Sequence, residues 1–210
     1  MKDTSGAQTL GRTSWKRLGI VMVPTVVAAG ALTVAMANGA IAASFAVSGQ
    51  QFKLTASQID GTGFAQYGTV LNADNGAKAG PIPAAISAFK SATITNLCQS
   101  VVTNLPVIGP VTLTIKAGAG STPVSATDLI IAMQQLNAGS ATFTNINIGQ
   151  DASTLGGSAS GAVGNPGAFG QQADHATLTN VQQVANSTNA GSFSLHDMSM
   201  GLSLGDHECF

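Results

Sequence analysis

The serine whose surroundings come closest to those of a catalytic nucleophile is Ser158, in the run Gly156-Gly157-Ser158-Ala159-Ser160. Acyl hydrolases present their serine on a Gly-x-Ser-x-Gly turn between a strand and a helix, with a histidine and an acid behind it. Here Ser160 replaces the final glycine, and the run lies in a stretch rich in glycine, serine and alanine. This composition is typical of a linker, so the sequence predicts no catalytic serine.

Three histidines stand beside acidic residues in the sequence: His175, His196 and His207. A Ser–His–Asp site needs three side chains that converge in space, and neighbours in sequence do not establish that. We therefore interpret these histidines as solvated turn residues. Together with the cysteines they also lack the spacing of a usual metal site. The sequence predicts no catalytic residue, no metal and no other cofactor.

The chain contains two cysteines, Cys98 and Cys209. An even number of cysteines in an exported protein favours a disulfide. Such a bond would remove roughly 5 kcal/mol of loop entropy from the unfolded chain and would tie the extreme C-terminus to the middle of the domain. Two free thiols are the alternative. A metal site is a second alternative, which the missing ligand spacing disfavours.

Residues 1–42 have the three parts of a secretion signal in the usual order. A basic stretch comes first, an uncharged run extends from Leu18 to Ala37, and the small-x-small tripeptide Ala40-Ile41-Ala42 follows. We expect signal peptidase to cleave between Ala42 and Ala43. An uncleaved membrane anchor is the alternative, because a run of 20 residues can span a bilayer. In both cases residues 43–210 lie outside the cytoplasm, either secreted or anchored at the cell envelope.

The remaining 43–210 segment suggests a single domain. It carries four lysines and no arginine against eight acidic residues, and only 8% of the whole chain is charged. Binding to nucleic acid depends largely on Lys and Arg contacts to phosphates, so this composition excludes a nucleic-acid partner. There are enough Val, Ile, Leu and Phe residues for a core, although a lean one.

The pentapeptide Ala-Thr-apolar-Thr-Asn occurs three times, starting at Ala92, Ala141 and Ala176. Threonine and the central Ile, Phe or Leu favour strands, and alternation places the alanine and the central residue on one face. The asparagine that ends each repeat suits a turn or bulge, where its side chain can bond the local backbone. Each repeat therefore predicts a strand that ends in a local irregularity.

Other alternating segments extend the β pattern over most of the domain. Thr127–Leu136 is the best helix candidate, but it also fits a buried strand. The glycine- and serine-rich residues 151–172 predict a flexible loop. We expect an all-β domain, arranged as a sandwich or as a short solenoid of repeated strand pairs and preceded by the N-terminal signal or transmembrane helix.

Alternate positions near the C-terminus form an apolar stripe of Met198, Met200, Leu202 and Leu204. Period-two alternation is typical of a strand with one buried face. A core strand is therefore the favoured interpretation of the stripe. A binding site for lipid or for a partner is the alternative.

Five parts of the chain carry a resemblance: Arg12–Arg17 with Ala42–Gly49, Gly61–Phe64, Ser91–Gln99, Thr142–Gln150 and Glu208–Phe210. Together they resemble a family of uncharacterised exported proteins of Streptomyces and related actinobacteria. The resemblance implies a cell-envelope or secreted location and a partnership with a small polytopic membrane protein. Some members are labelled cholesterol esterases, but the missing nucleophile turn gives that activity no support here, and no functional residue can be transferred.

These observations favour a non-enzymatic protein of the cell envelope, either a structural or a binding module. Two alternatives stay open. One is a lipid or sterol esterase with an unrecognised site. The other is an extracytoplasmic lipid-binding protein.

Overall fold

The described part of the chain is almost entirely β-strand. The computed structural model describes residues 50–72, 81–157 and 162–210. Within these ranges there are ten strands and one short 3-10 turn, Ala152–Thr154. The strands are β1 Phe52–Asn72, β2 Pro81–Thr95, β3 Leu97–Leu105, β4 Gly109–Ala117, β5 Val124–Asn137, β6 Ser140–Thr144, β7 Asn147–Asp151, β8 Phe169–Asn189, β9 Ser192–Ser194 and β10 Ser199–Leu204.

Strand β1 has neighbours along both edges. On one side it pairs with β2 and then, without a change of register, with β3, so that Gln58 lies opposite Thr95 and Thr55 opposite Cys98. On the other side it pairs with β8 from Phe52 onward. All of these pairings are antiparallel. β1 is thus hydrogen-bonded to other strands along both of its edges.

The strand pairing closes on itself. β2 also pairs with β5, and β5 pairs with β8, which returns to β1. The all-β class is confirmed, but the arrangement is one large antiparallel sheet rather than the expected sandwich or solenoid. The physical reason is strand length. β1 and β8 have 21 residues each, far more than a typical strand, so each can curve around the interior and pair with several partners.

The asparagines of the three repeats have the irregular backbone that their position predicts. Asn96, Asn145 and Asn180 have φ values of 53°, 53° and 49°, in the left-handed region that asparagine tolerates better than most side chains. Each asparagine comes directly after a strand residue or lies within a strand. The expected local irregularity is present in all three repeats, but the strand ends there only in the first two, because β8 continues through Asn180 to Asn189.

Each of these asparagines shifts the side-chain alternation by one position. In an uninterrupted strand, inward-facing residues are two apart. Across the asparagines they are three apart: the chain goes from Ile94 to Leu97, from Phe143 to Ile146 and from Leu178 to Val181, all within one apolar cluster. The irregular backbone at each asparagine therefore keeps the same face of the chain inside on both sides of it.

The interior of the closed sheet is the hydrophobic core. Three phenylalanines meet in it, with the Phe64 ring centroid 5.3 Å from that of Phe89 and 5.2 Å from that of Phe143. The largest fully buried apolar side chains are Ile94, Leu129, Val124 and Val181. Burying a side chain of this size stabilises the fold by about 1.5–3 kcal/mol. Many of the other core residues are alanines, so the core is as lean as the composition predicts.

Strands β3, β4 and β10 extend from the closed part as a three-stranded flap, and β10 is its outer edge. The expectation that the Met198–Leu204 stripe is a core strand is wrong, because its four apolar side chains are 51–74% exposed. The reason lies in the topology. β10 pairs only with β4, and no other described element covers this face of the flap.

Several other expectations concern the loops and the N-terminus. Thr127–Leu136 lies within β5, so the strand interpretation is confirmed. β8 begins at Phe169, and the connection before it includes the buried residues Leu155 and Ala162. Ser158, Ala42 and Ala43 lie outside the described residues. A search of the described residues for a helix able to cross a membrane found none.

Candidate binding site

A cavity of about 200 Å³, partly open to solvent, lies among side chains that face the inside of the closed sheet. Its walls come from β1, β2, β5, β6 and β8, and they are mostly apolar, including Ile59, Phe64, Phe89, Met133, Leu136 and Phe143. Ala138 and Ala141, which also line the cavity, are exposed, so the cavity opens to solvent on their side. An apolar cavity of about 150 Å³ holds benzene, so this one can hold a slightly larger aliphatic or aromatic group.

One polar side chain in the cavity wall has an amide nitrogen without a partner. Gln183 on β8 is 1% exposed, and its Nε2 atom makes no hydrogen bond. Side chains alternate between the two faces of a strand, and Gln183 lies between the buried residues Val181 and Ala185 on the inward face of β8. A buried amide donor without a partner costs about 1–3 kcal/mol. Natural proteins seldom retain such a group unless it has a function or binds water.

The other polar groups of the cavity wall are already paired. The Gln66 side chain donates from Nε2 to the Ser87 hydroxyl over 2.8 Å and accepts at Oε1 from Gln171 Nε2 over 2.6 Å. Both ends of the Gln66 amide are therefore satisfied by the protein. The Gln183 amide nitrogen is left as a donor that a molecule in the cavity could use.

Gln183 is not among the residues that the sequence patterns single out. A signal was present in the sequence, since Val181, Gln183 and Ala185 alternate and a glutamine at the middle position of such a stripe points inward. The cavity itself had no signal, because the strands that form it are far apart in the sequence.

A second polar group lies on the outer face, where β1 and β8 pair. Asp60 Oδ2 is 3.1 Å from His175 Nε2 and accepts a hydrogen bond of 2.7 Å from the Thr177 hydroxyl. Both partners of Asp60 come from the third repeat and its preceding residue. His175 is therefore a strand residue in contact with an acid, rather than the turn residue expected.

The geometry of this group does not match a nucleophilic triad. In a triad the acid bonds one nitrogen of the histidine, and the nucleophile bonds the other. Here the Thr177 hydroxyl lies 3.3 Å from His175 Nε2, the same nitrogen that faces Asp60, and it donates its proton to the carboxylate. The arrangement ties β8 to β1 and provides no activated hydroxyl.

The remaining residues singled out from the sequence lie near the flap. His196 is exposed in the turn before β10, and His207 is exposed in the C-terminal segment. Cys98 and Cys209 form a disulfide with their Cα atoms 6.0 Å apart. A disulfide is consistent with a location outside the cytoplasm. Among the described residues there is no group of three or more His, Cys, Asp or Glu side chains that could hold a metal ion.

Among the described residues, Tyr67 and Asp151 have pKa values that differ from the usual ones. Burial raises the pKa of the Tyr67 hydroxyl, because the ionised form would lose its solvation. Hydrogen bonds from the Ser153 and Gly167 backbone amides, and from the Ser153 hydroxyl, lower the pKa of Asp151. The Asp151 carboxylate caps the 3-10 turn, so its shift reflects the structure of the connection between β7 and β8.

Comparisons with known proteins place the chain in a family without assigning it an activity. No curated protein and no solved structure matches the chain. The sequence profile of DUF6230, described as a family of unknown function, matches residues 48–210, which include the whole described sheet. The chain therefore belongs to the DUF6230 family.

Proposed function

We propose that this protein is a non-enzymatic binding module outside the cytoplasm, and that its interior cavity holds the apolar part of a ligand. The observation that carries the proposal is Gln183, a buried donor without a partner in a mostly apolar cavity. Ligand sites commonly combine apolar walls with a few polar groups that fix orientation. Gln183 Nε2 would donate to one acceptor on the ligand, such as a carbonyl oxygen.

The size of the cavity limits the ligand. Sites for drug-sized molecules are usually about 300–1,000 Å³, and this cavity has about 200 Å³. A whole sterol or a two-chain lipid would not fit inside it. An acyl chain of medium length, or one end of a longer chain, would fit. The small size of the cavity favours lipid binding over hydrolysis of sterol esters. The hydrogen bonds among Asp60, His175 and Thr177 favour the same choice, because they leave no activated hydroxyl.

The location rests on separate observations. The disulfide between Cys98 and Cys209 suits an oxidising compartment, and the N-terminal 42 residues have the features of a secretion signal. The resemblance to exported actinobacterial proteins supports the same location. A polytopic membrane protein of the envelope stays the proposed partner.

The test is a comparison of ligand binding between the natural protein and the variant Gln183→Leu. We expect native mass spectrometry of the protein recovered from its own cells to detect a copurified aliphatic molecule. The same spectrum shows whether the chain begins at Ala43. Titration with 2-octanone, which carries one carbonyl on a short chain, should give saturable binding that weakens about tenfold in Q183L, the effect of one lost hydrogen bond.

The matched control is Gln182→Leu, since Gln182 is the exposed neighbour of Gln183 on the same strand. Q182L should bind 2-octanone as the natural protein does. Equal affinity in Q183L and the natural protein would show that Gln183 does not contact the ligand. An empty protein that fails to bind 2-octanone would refute the proposal as a whole.

A further inference from the structure

The two faces of the flap differ in what covers them. One face carries Cys98, Ser100 and Thr112, and the C-terminal segment lies across it. The backbone amide of Cys209 donates to the Ser100 hydroxyl over 2.9 Å, and that of His207 donates to the Thr112 hydroxyl over 3.0 Å. The protein itself covers part of this face.

The opposite face of the flap is apolar and uncovered at its outer edge. Directly paired residues on neighbouring strands share a face, and the pairs here are Ile115 with Met200, Leu113 with Leu202, and Val111 with Leu204. The three β10 side chains are 64%, 74% and 71% exposed. Contiguous apolar surface of this kind usually marks an interaction site.

The tip of the flap, between β3 and β4, is apolar as well. Leu105, Val107 and Ile108 are all exposed there, Val107 completely. Val107 has φ = 74°, a rare conformation for a β-branched residue. Strained backbone of this type is found most often at functional sites. The tip therefore presents apolar side chains outward instead of folding them back onto the sheet.

The scarcity of charged residues in the flap favours a lipid surface over a protein as the partner of its apolar face. Lys116 is the only charged residue between Leu97 and Ala117, and there is none between Met198 and Gly205. A second copy that paired with the β10 edge would cover the stripe but would leave the tip in water. A bilayer would receive the stripe and the tip together, and the nearest acidic residues in the sequence, Asp197 and Asp206, lie just outside the stripe.

The start of the described chain lies beside the same flap. Gln50, the first described residue, accepts a hydrogen bond from the Thr103 hydroxyl of β3 at 3.3 Å. Thr103 pairs with Val111, so it belongs to the apolar face of the flap. The sequence before Gln50 includes the uncharged run Leu18–Ala37, which has the composition of a membrane segment.

We infer that the flap docks onto a lipid bilayer, with Leu105, Val107 and Ile108 among the acyl chains and the β10 stripe at the headgroup boundary. The backbone of β10 limits how deeply the flap can enter the bilayer. β10 is an edge strand, and its unpaired amides and carbonyls need water or headgroups, so the strand itself stays out of the hydrocarbon. Docking in this way does not depend on what the interior cavity binds.

The experiment places a fluorescent reporter at the tip of the full-length chain. The natural sequence has one tryptophan, Trp15, which Trp15→Phe removes. In that background Ile108→Trp adds a tryptophan to the tip, and the protein is reconstituted into phosphatidylcholine vesicles with or without brominated acyl chains. We expect the I108W emission to shift to shorter wavelength and to be quenched by the brominated lipid.

The matched control is Ile148→Trp in the same background. Ile148 on β7 is 67% exposed, close to the 62% of Ile108, and it lies away from the flap. Its emission should be quenched by aqueous iodide and not by brominated lipid. If the I108W tryptophan behaves like the I148W one, the flap does not contact lipid. If it is shielded from iodide yet unaffected by bromine, a protein covers the flap and the inference is overturned.

Discussion

The side-chain amide of Asn96 donates a hydrogen bond to the Ser57 hydroxyl on the neighbouring strand, at a distance of 2.8 Å. Asn96 is also one of three repeat asparagines with positive φ, and the inward face of the chain passes from Ile94 to Leu97 across it. Two properties of asparagine are thus used at this position. One is tolerance of the left-handed backbone, and the other is the side-chain bond.

Substitution of Asn96 separates these two properties. Asn96→Ala should lower the free energy of unfolding by about 1–2 kcal/mol, because alanine is strained in the left-handed region. Asn96→Gly keeps that conformation accessible and should stay close to the natural protein. Urea unfolding followed by circular dichroism measures both. Equal losses in N96A and N96G, matched by Ser57→Ala, would instead assign the effect to the hydrogen bond.

Removal of the Gln183 amide should make the empty protein more stable. Leucine is similar in size and leaves no buried donor without a partner, so Gln183→Leu should raise the free energy of unfolding by about 1 kcal/mol or more. Stability gained at the expense of binding is expected where a residue is kept for function. Urea unfolding of ligand-free protein tests this. Destabilisation by Q183L, with no change in Q182L, would indicate that the protein or a bound water satisfies the amide.

The Asp151 cap predicts a dependence on pH. The folded-state pKa of Asp151 is lowered by its hydrogen bonds, so the unfolded chain binds the proton more readily. The stabilisation is complete above the ordinary carboxyl pKa and is lost as the pH falls through the lowered folded value. Asp151→Asn should therefore reduce the urea midpoint more at pH 7 than in acid. Ser153→Ala, which removes one of the donors to Asp151, should produce part of that difference. A pH-independent effect of D151N would contradict this assignment.

The sequence predicts the local features of this fold because they depend on neighbouring residues. The repeat that ends at Asn180 is an example, since its threonines, its central Leu178 and its asparagine each have a conformational preference of their own. The expectation that the chain is exported predicts that Cys98 and Cys209 pair, and the structure has them bonded.

The closed sheet and the cavity could not be predicted in the same way. Alternation shows which residues share a face of one strand, but not that β8 pairs with both β1 and β5. The stripe around Leu202 shows the same limit. Its alternation is that of a core strand, and only the position of β10 at the edge of the flap makes it exposed.

The closure of the sheet also has a consequence for how the chain folds. Phe52 at the start of β1 pairs with Ala185 near the end of β8, so the interior is complete only when almost the whole chain is available. Contacts between such distant residues form slowly, because the loop between them must first be closed. We expect the chain to remain unfolded during synthesis and to fold after its last strands emerge. A chain that has to pass a membrane as an extended polypeptide gains time for transport from this topology.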